Sequence, residues 1–148
     1  MHVVRVRTPL ASAAVAVVGA AALALIALYA AMNPQPVPTV NGAPDPAVIA
    51  ANQGAVMWPA LLAILSLIAA VAVLRSPGRF TYLLAGALGF FMVGLALTLP
   101  AWLSVLAPLA VLLGITGVVA VLVAVVGWLP SEPLPGSLPG WPEHHGGI

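Results

Sequence analysis

The sequence predicts an all-α integral membrane protein with four transmembrane helices, both termini in the cytoplasm and a Pro-rich C-terminal tail. Of its 148 residues, 63% are hydrophobic and only 5% are charged, whereas soluble domains carry roughly 25% charged residues. The apolar residues are concentrated in four runs. Each run is at least as long as the roughly 20 helical residues that cross a bilayer. All four basic residues are arginines, and they lie in two short segments.

The first apolar run covers residues 10–32 and follows a short basic segment, residues 1–9. Such a pair is also typical of a secretory signal peptide. The apolar region of a signal peptide is usually only about 7–15 residues long, and this run is longer. We therefore predict a first transmembrane helix, with its N-terminus inside and Tyr29 near the outer interface.

The loop after the first span is rich in proline and contains an Asn41-Gly42 pair. Prolines at alternate positions favour extended backbone, and Asn-Gly favours a tight turn. Asp45 and Pro46 then have the residue types of a helix N-cap and of a first helical position. The loop is thus predicted to end directly at the start of a second helix.

Three further spans are predicted at residues 55–74, 80–99 and 103–128. The second begins only after Asn52 and Gln53, whose amides are too polar for the lipid core. The start of the fourth is open. Residues 101–107 can form a surface turn before Pro108, or a single helix can kink at that proline.

Arginine placement predicts the topology. Arg5 and Arg7 precede the first span, while Arg75 and Arg79 lie in the turn between the second and third. Short segments rich in arginine stay on the cytoplasmic side, so four spans place both termini there. Tryptophans, which favour membrane interfaces, then fall on the outer side (Trp58, Trp102) and the inner side (Trp128).

The chain therefore divides into a four-span helical domain, residues 1–129, and an extended cytoplasmic tail, residues 130–148. Five prolines prevent the tail from forming a helix of any length. Two PxxP patterns and the apolar side chains of Leu134, Leu138 and Trp141 are candidate anchors on a partner protein. The alternative is an unbound linker, which is common for Pro-rich tails.

Several classes of chemistry are disfavoured. There is no cysteine, and the three histidines lie near the termini, at positions 2, 144 and 145, so we predict no metal site, no cofactor and no catalytic residues. A net charge of +1 is too small for nucleic-acid binding. The predicted spans contain no ionisable group of the kind that proton and ion pathways use. We therefore expect neither an enzyme nor a small-molecule substrate.

Small residues recur at helical spacing and are candidates for helix packing. The first span has an alanine stripe about 80° wide at 100° per residue. The fourth span has a looser series of small residues. Such surfaces either hold the four spans together or receive helices of other subunits. The candidates are Ala13, Ala16, Ala20, Ala24, Ala27, Ala31, Gly114 and Gly117.

In style, this Cys-free, Ala/Val/Leu-rich, four-span chain with a Pro-rich end resembles accessory subunits of actinobacterial respiratory assemblies, such as the cytochrome bcc–oxidase supercomplex. No motif is shared, so no functional residue is carried over. The resemblance implies a subunit of a respiratory electron-transport complex in a bacterial plasma membrane. Neighbouring membrane subunits would carry haem and copper, and this chain would carry neither.

Two alternatives remain open. A small oligomeric transporter or channel would need a pore lined by the hydroxyls of Thr81, Thr98, Ser104 and Thr116. The lengths of the spans resemble those of small four-helix exporters, but the working carboxylate of their first span is missing here. A cell-envelope scaffold would instead recruit a partner through the outer loop, residues 33–53.

Overall fold

The computed structural model describes the backbone of residues 2–129 and the side chains of residues 7–129. Its long helices are α1 (His2–Met32), α2 (Pro46–Arg75), α3 (Arg79–Leu97) and α4 (Ala107–Trp128). Four helical segments of the described chain are long and apolar enough to cross a membrane. The predicted all-helical class with four potential spans is confirmed at this level.

The connection between α1 and α2 is a short β-hairpin. Strand β1 (Thr39–Val40) pairs antiparallel with β2 (Ala43–Pro44). Between them, Asn41 and Gly42 have φ of 54° and 81°, the left-handed backbone that a two-residue hairpin turn requires and that Asn-Gly tolerates best. The predicted tight turn is confirmed.

The predicted start of α2 is also confirmed. Asp45 is the N-cap, and its Oδ1 accepts a hydrogen bond of 2.9 Å from the Ala47 N–H. Pro46 occupies the first turn, where its missing N–H leaves no helical bond unmade. The helix therefore begins nine residues before the predicted span at residue 55, and Asn52 and Gln53 lie within this additional stretch.

The turn between α2 and α3 spans residues 76–78 and is closed by local hydrogen bonds. The Gly78 N–H donates to Thr81 Oγ1 over 3.0 Å. The Thr81 hydroxyl in turn lies 2.9 Å from the Gly78 carbonyl oxygen and 3.2 Å from that of Ser76. These bonds satisfy backbone groups that the helix ends leave unpaired, so the turn has a defined shape.

The connection between α3 and α4 differs from the predicted boundaries. Helix α3 ends at Leu97, two residues before the predicted end at residue 99, since a residue next to Pro100 is disfavoured in helical backbone. A 3-10 helix, η1 (Ala101–Leu106), follows, and α4 begins at Ala107 with Pro108 in its first turn. Pro108 therefore starts a helix and does not kink one.

The helices pack as two antiparallel pairs, α1 with α2 and α3 with α4, which are joined most extensively by α1 against α4. The main core contains Leu23, Ile26, Met92, Leu103 and Leu113, all at most 2% exposed. It lies toward the hairpin side of the bundle. Smaller clusters near the opposite end join α1 to α2 and α2 to α3, including Ala13, Ala16 and Ala70, and Val73, Tyr82 and Ala85.

This antiparallel order gives the bundle two chemically different ends. The arginine end contains Arg7, Arg75 and Arg79. The hairpin end contains the β-hairpin and Asp45, the one acidic residue among residues 2–129. The antiparallel order of the helices therefore brings the three arginines to one end of the bundle and places Asp45 at the other.

Candidate docking surfaces

The α3–α4 seam is closed by direct backbone contact. A Cβ added at Gly117 would lie 2.5 Å from the carbonyl oxygen of Gly89, and one added at Gly89 would lie 2.7 Å from that of Gly117. Real Cβ atoms do not approach backbone this closely, so both positions require glycine. Gly117, a predicted packing candidate, is thus placed inside the bundle, directly against Gly89 of α3.

Two other glycines accommodate single large side chains. A Cβ at Gly127 would lie 2.6 Å from the Tyr82 ring, and one at Gly19 would lie 2.6 Å from Cε of Met92. The Tyr82 ring therefore packs directly on Gly127 at the arginine end, and the Met92 side chain packs on Gly19 where α1 meets α3. The sequence contained no spacing signal for these pairs because each joins distant parts of the chain.

The alanine stripe of α1 divides between the interior and the outside. The predicted candidates Ala13, Ala16, Ala20 and Ala27 are buried, whereas Ala24 and Ala31 are exposed. Along the hairpin half of α1, this stripe forms the floor of an open groove against α2. Packing within the chain therefore buries only part of the alanine stripe of α1.

We call this opening the α1–α2 groove. It has a volume of about 610 Å³ and only apolar side chains line it. Exposed side chains flank it, including Leu28 and Ile64, each 57% exposed. Its floor is alanine, with Ala20, Ala24, Ala27 and Ala31 from α1 and Ala60 and Ala63 from α2.

A second opening, the α3–α4 groove, has a volume of about 450 Å³. The predicted candidate Gly114 lines it together with Ala96 and Ala110. The nearest atom to a Cβ added at Gly114 would be the Ala96 Cβ, at 3.7 Å, which is an ordinary contact. Gly114 and Gly117 are one helical turn apart, yet Gly114 borders an open surface while Gly117 is sealed in the seam.

The four candidate pore hydroxyls are not brought together. Thr81 and Thr98 lie at opposite ends of α3, about 25 Å apart at 1.5 Å per residue. The hydroxyls of Thr98 and Thr116 donate to the carbonyl oxygens four residues earlier, over 2.8 and 2.7 Å. Ser104 is exposed in η1. The hydroxyls of Thr98 and Thr116 are therefore already satisfied by the backbone of their own helices.

The connection between α1 and α2 is held to α2 by the side-chain amide of Asn52. Oδ1 of Asn52 accepts from the Gln35 N–H, and Nδ2 of Asn52 donates to the Gln35 carbonyl oxygen, both over 2.9 Å. This pair satisfies the backbone of Gln35 as a neighbouring β-strand would. The polarity of Asn52 excluded it from the predicted lipid core, but its partner, 17 residues away, could not be read from the sequence.

At the arginine end, the Arg79 guanidinium carbon lies 5.8 Å from the centroid of the Trp128 ring, within cation–π range. Arg7 and Arg75 are exposed. Arg5 belongs to α1, but its side chain lies outside those described. The tail anchors Leu134, Leu138 and Trp141 also lie outside the described residues.

Chemically, the described region offers packing surfaces. Among residues 7–129, no three His, Cys, Asp or Glu side chains are grouped as metal ligands would be. The four apolar helices of spanning length define a candidate multi-pass membrane protein. Comparison with protein-family models, curated proteins and solved structures found no match.

Proposed function

We propose that this protein is a non-catalytic accessory subunit of a larger membrane complex, and that a helix of another subunit docks in the α1–α2 groove. The observation that carries the proposal is the division of the alanine stripe. Ala24 and Ala31 are exposed at helical spacing beside buried Ala20 and Ala27. A bundle that needed the stripe only for itself would cover it.

Membrane physics supports a helix as the occupant. Lipid tails are as apolar as leucine, so helices associate in a bilayer through close packing at small residues. The alanine floor lets a partner backbone approach, and the flanking Leu28 and Ile64 supply the ridges against which its side chains pack.

The proposed setting is a bacterial plasma membrane, with the arginine end and both termini in the cytoplasm. The positive-inside rule supports this orientation, since Arg7, Arg75 and Arg79 share one end. The tail, residues 130–148, would continue from the same end after Leu129. Its apolar residues, Leu134, Leu138 and Trp141, would anchor it on a neighbouring subunit.

For the identity of the complex, we propose a respiratory cytochrome oxidase assembly. The support is the resemblance in composition and span number to accessory subunits of such assemblies. In this setting the neighbouring subunits hold the haem and copper and carry out electron transfer. A pore is a weaker alternative, because the hydroxyls of Thr98 and Thr116 are bonded to their own helices.

One observation favours a second candidate function, a cell-envelope scaffold. The β-hairpin and the Asn52 clasp give the outer loop a defined shape, which suits recruitment of a partner. Deleting residues 34–44 would then abolish binding of that partner while leaving assembly with membrane subunits intact. Loss of both together would count against a separate role for the loop.

The primary test is purification in mild detergent through a C-terminal tag, with mass spectrometry of co-eluting proteins and a visible absorption spectrum. We expect stoichiometric haem-containing subunits. A homo-oligomer without a chromophore would contradict the respiratory assignment and direct attention to transport assays.

The docking surface is tested by an Ala24→Leu, Ala31→Leu double variant, which fills the groove. We expect the bundle to fold and the co-eluting subunits to be lost. Ala14→Leu is the matched control, since Ala14 is exposed on the same helix and does not line the groove. Equal retention of partners by the double variant and the control would rule out this groove as the docking surface.

A further inference from the structure

The arginine end carries positive charge without a counter-charge in the described region. Arg7, Arg75 and Arg79 are exposed there, and Asp45, the one acidic residue among residues 7–129, lies at the opposite end. An arginine cannot discard its charge by deprotonation. The described residues of this end therefore present a fixed positive field.

Two of these arginines are held close together. Arg75 ends α2 and Arg79 begins α3, so only residues 76–78 separate them. The Ser76 N–H donates to the Ala72 carbonyl oxygen over 2.9 Å, and the Thr81 hydroxyl bonds fix the rest of the turn. The backbone positions of both arginines are thus set before any ligand binds.

Trp128 restrains one guanidinium further. Arg79 lies over its ring at 5.8 Å, and Trp128 remains 49% exposed. Indole favours the headgroup level of a bilayer. The stacking therefore holds Arg79 against a ring of the type that favours the depth of lipid phosphates, and among the described residues no acidic side chain lies at this end of the bundle.

From this charge complementarity we infer that Arg75, Arg79 and Trp128 form a binding surface for the headgroups of anionic phospholipids, with Arg7 adding to the field. A guanidinium binds phosphate through paired N–H donors. An anionic lipid carries net charge into the surface, whereas a zwitterionic lipid brings its own cation. The surface therefore selects anionic over zwitterionic lipid, and this selection does not depend on the docking role proposed above.

The test is native mass spectrometry of the full chain in a neutral detergent, titrated with phosphatidylglycerol or with phosphatidylcholine of identical acyl chains. We expect tighter retention of phosphatidylglycerol, lowered about fivefold for each arginine replaced in Arg75→Gln and Arg79→Gln. Arg79→Lys, which keeps the charge, should lose less than Arg79→Gln. Trp128→Leu should lower retention with every charge intact.

Asp45→Asn is the matched control, because it changes net charge at the opposite end while keeping an N-cap residue. It should leave the preference unchanged. Equal retention of the two lipids, or an undiminished preference in the Arg75→Gln, Arg79→Gln double variant, would overturn the inference. So would displacement of the lipid by equimolar inorganic phosphate, since that would identify a site for soluble anions.

Should the double variant fail to fold, the wild-type protein still decides the matter. The attraction between arginines and anionic headgroups must weaken as added salt shortens the screening distance. We expect the preference for phosphatidylglycerol to fall as salt rises from 50 to about 500 mM. A preference independent of salt would contradict the inference.

Discussion

In the α3–α4 pair, Gly89 and Gly117 bring two backbones into contact and close the seam. In the α1–α2 pair, alanines such as Ala24 and Ala31 remain exposed and leave a groove of about 610 Å³. Both pairs are antiparallel and both are rich in small residues. The comparison shows that a small residue in a membrane helix can serve internal packing or leave a surface open, and the two roles predict opposite responses to a larger side chain.

The largest effect is expected at the sealed seam. Gly117→Val should lower the free energy of unfolding by about 3 kcal/mol, because its Cβ would lie 2.5 Å from the Gly89 carbonyl oxygen. Equilibrium unfolding in mixed micelles, followed by circular dichroism, measures the change. Gly94→Val is the control, since no atom lies within 4 Å of a Cβ added there. Similar losses for both variants would show that the seam is not closed by backbone contact.

The α1–α2 pair depends on a polar clasp in its connecting loop. Asn52→Leu removes both hydrogen bonds to Gln35 and should loosen the loop by about 1–2 kcal/mol. Faster amide exchange at Gln35 and faster proteolysis within residues 33–45 would report it. Gln53→Leu is the control, because Gln53 is exposed beside the clasp. Unchanged exchange in Asn52→Leu would mean that the hairpin holds its shape without the clasp.

A smaller effect is expected where the two pairs meet. Gly19→Ala should cost about 1 kcal/mol, because the clashing atoms are Cε and Sδ of Met92 and methionine adapts its rotamers. In a Met92→Ala background, Gly19→Ala should cost almost nothing. A double-mutant cycle without coupling would exclude this contact as the reason that residue 19 is glycine.

The smallest effect is expected at the open α3–α4 groove. Gly114→Ala should change the unfolding free energy by no more than about 0.5 kcal/mol, since its nearest neighbour would be 3.7 Å away. Equilibrium unfolding in mixed micelles, followed by circular dichroism, measures this change as well. A loss as large as that of Gly117→Val would remove the distinction between the sealed seam and the open groove.

Local features were predictable because their causes lie within a few residues. The Asn41-Gly42 turn was predictable because these residues tolerate left-handed backbone. The Asp45 cap was predictable because its carboxylate lies within two residues of the Ala47 N–H that it accepts from. The end of α3 at Leu97 also follows from Pro100, although the prediction placed it two residues late. The Asn52 clasp was missed since its partner is 17 residues away and belongs to another element.

The division of the α1 stripe could not be predicted for a different reason. Helical spacing places Ala20, Ala24 and Ala27 on one side of α1, but spacing does not say which neighbour covers each of them. Only the tertiary packing of the other helices around α1 buries Ala20 and Ala27 and leaves Ala24 exposed. The tail anchors and the identity of the partner complex remain predictions.

Composition and run length were enough to predict the four apolar spans, because these reflect the solvent. The positions of the arginines predicted their segregation, and local residue types predicted the turns, because each turn depends on bonds between near neighbours. Only the tertiary structure assigned Gly117 to a sealed seam and Gly114 and Ala24 to open grooves. In water, the buried face of a helix is apolar and its outer face polar, so the sequence reveals the inside. In lipid both faces are apolar, that contrast disappears, and the interior is decided by which backbones can approach each other.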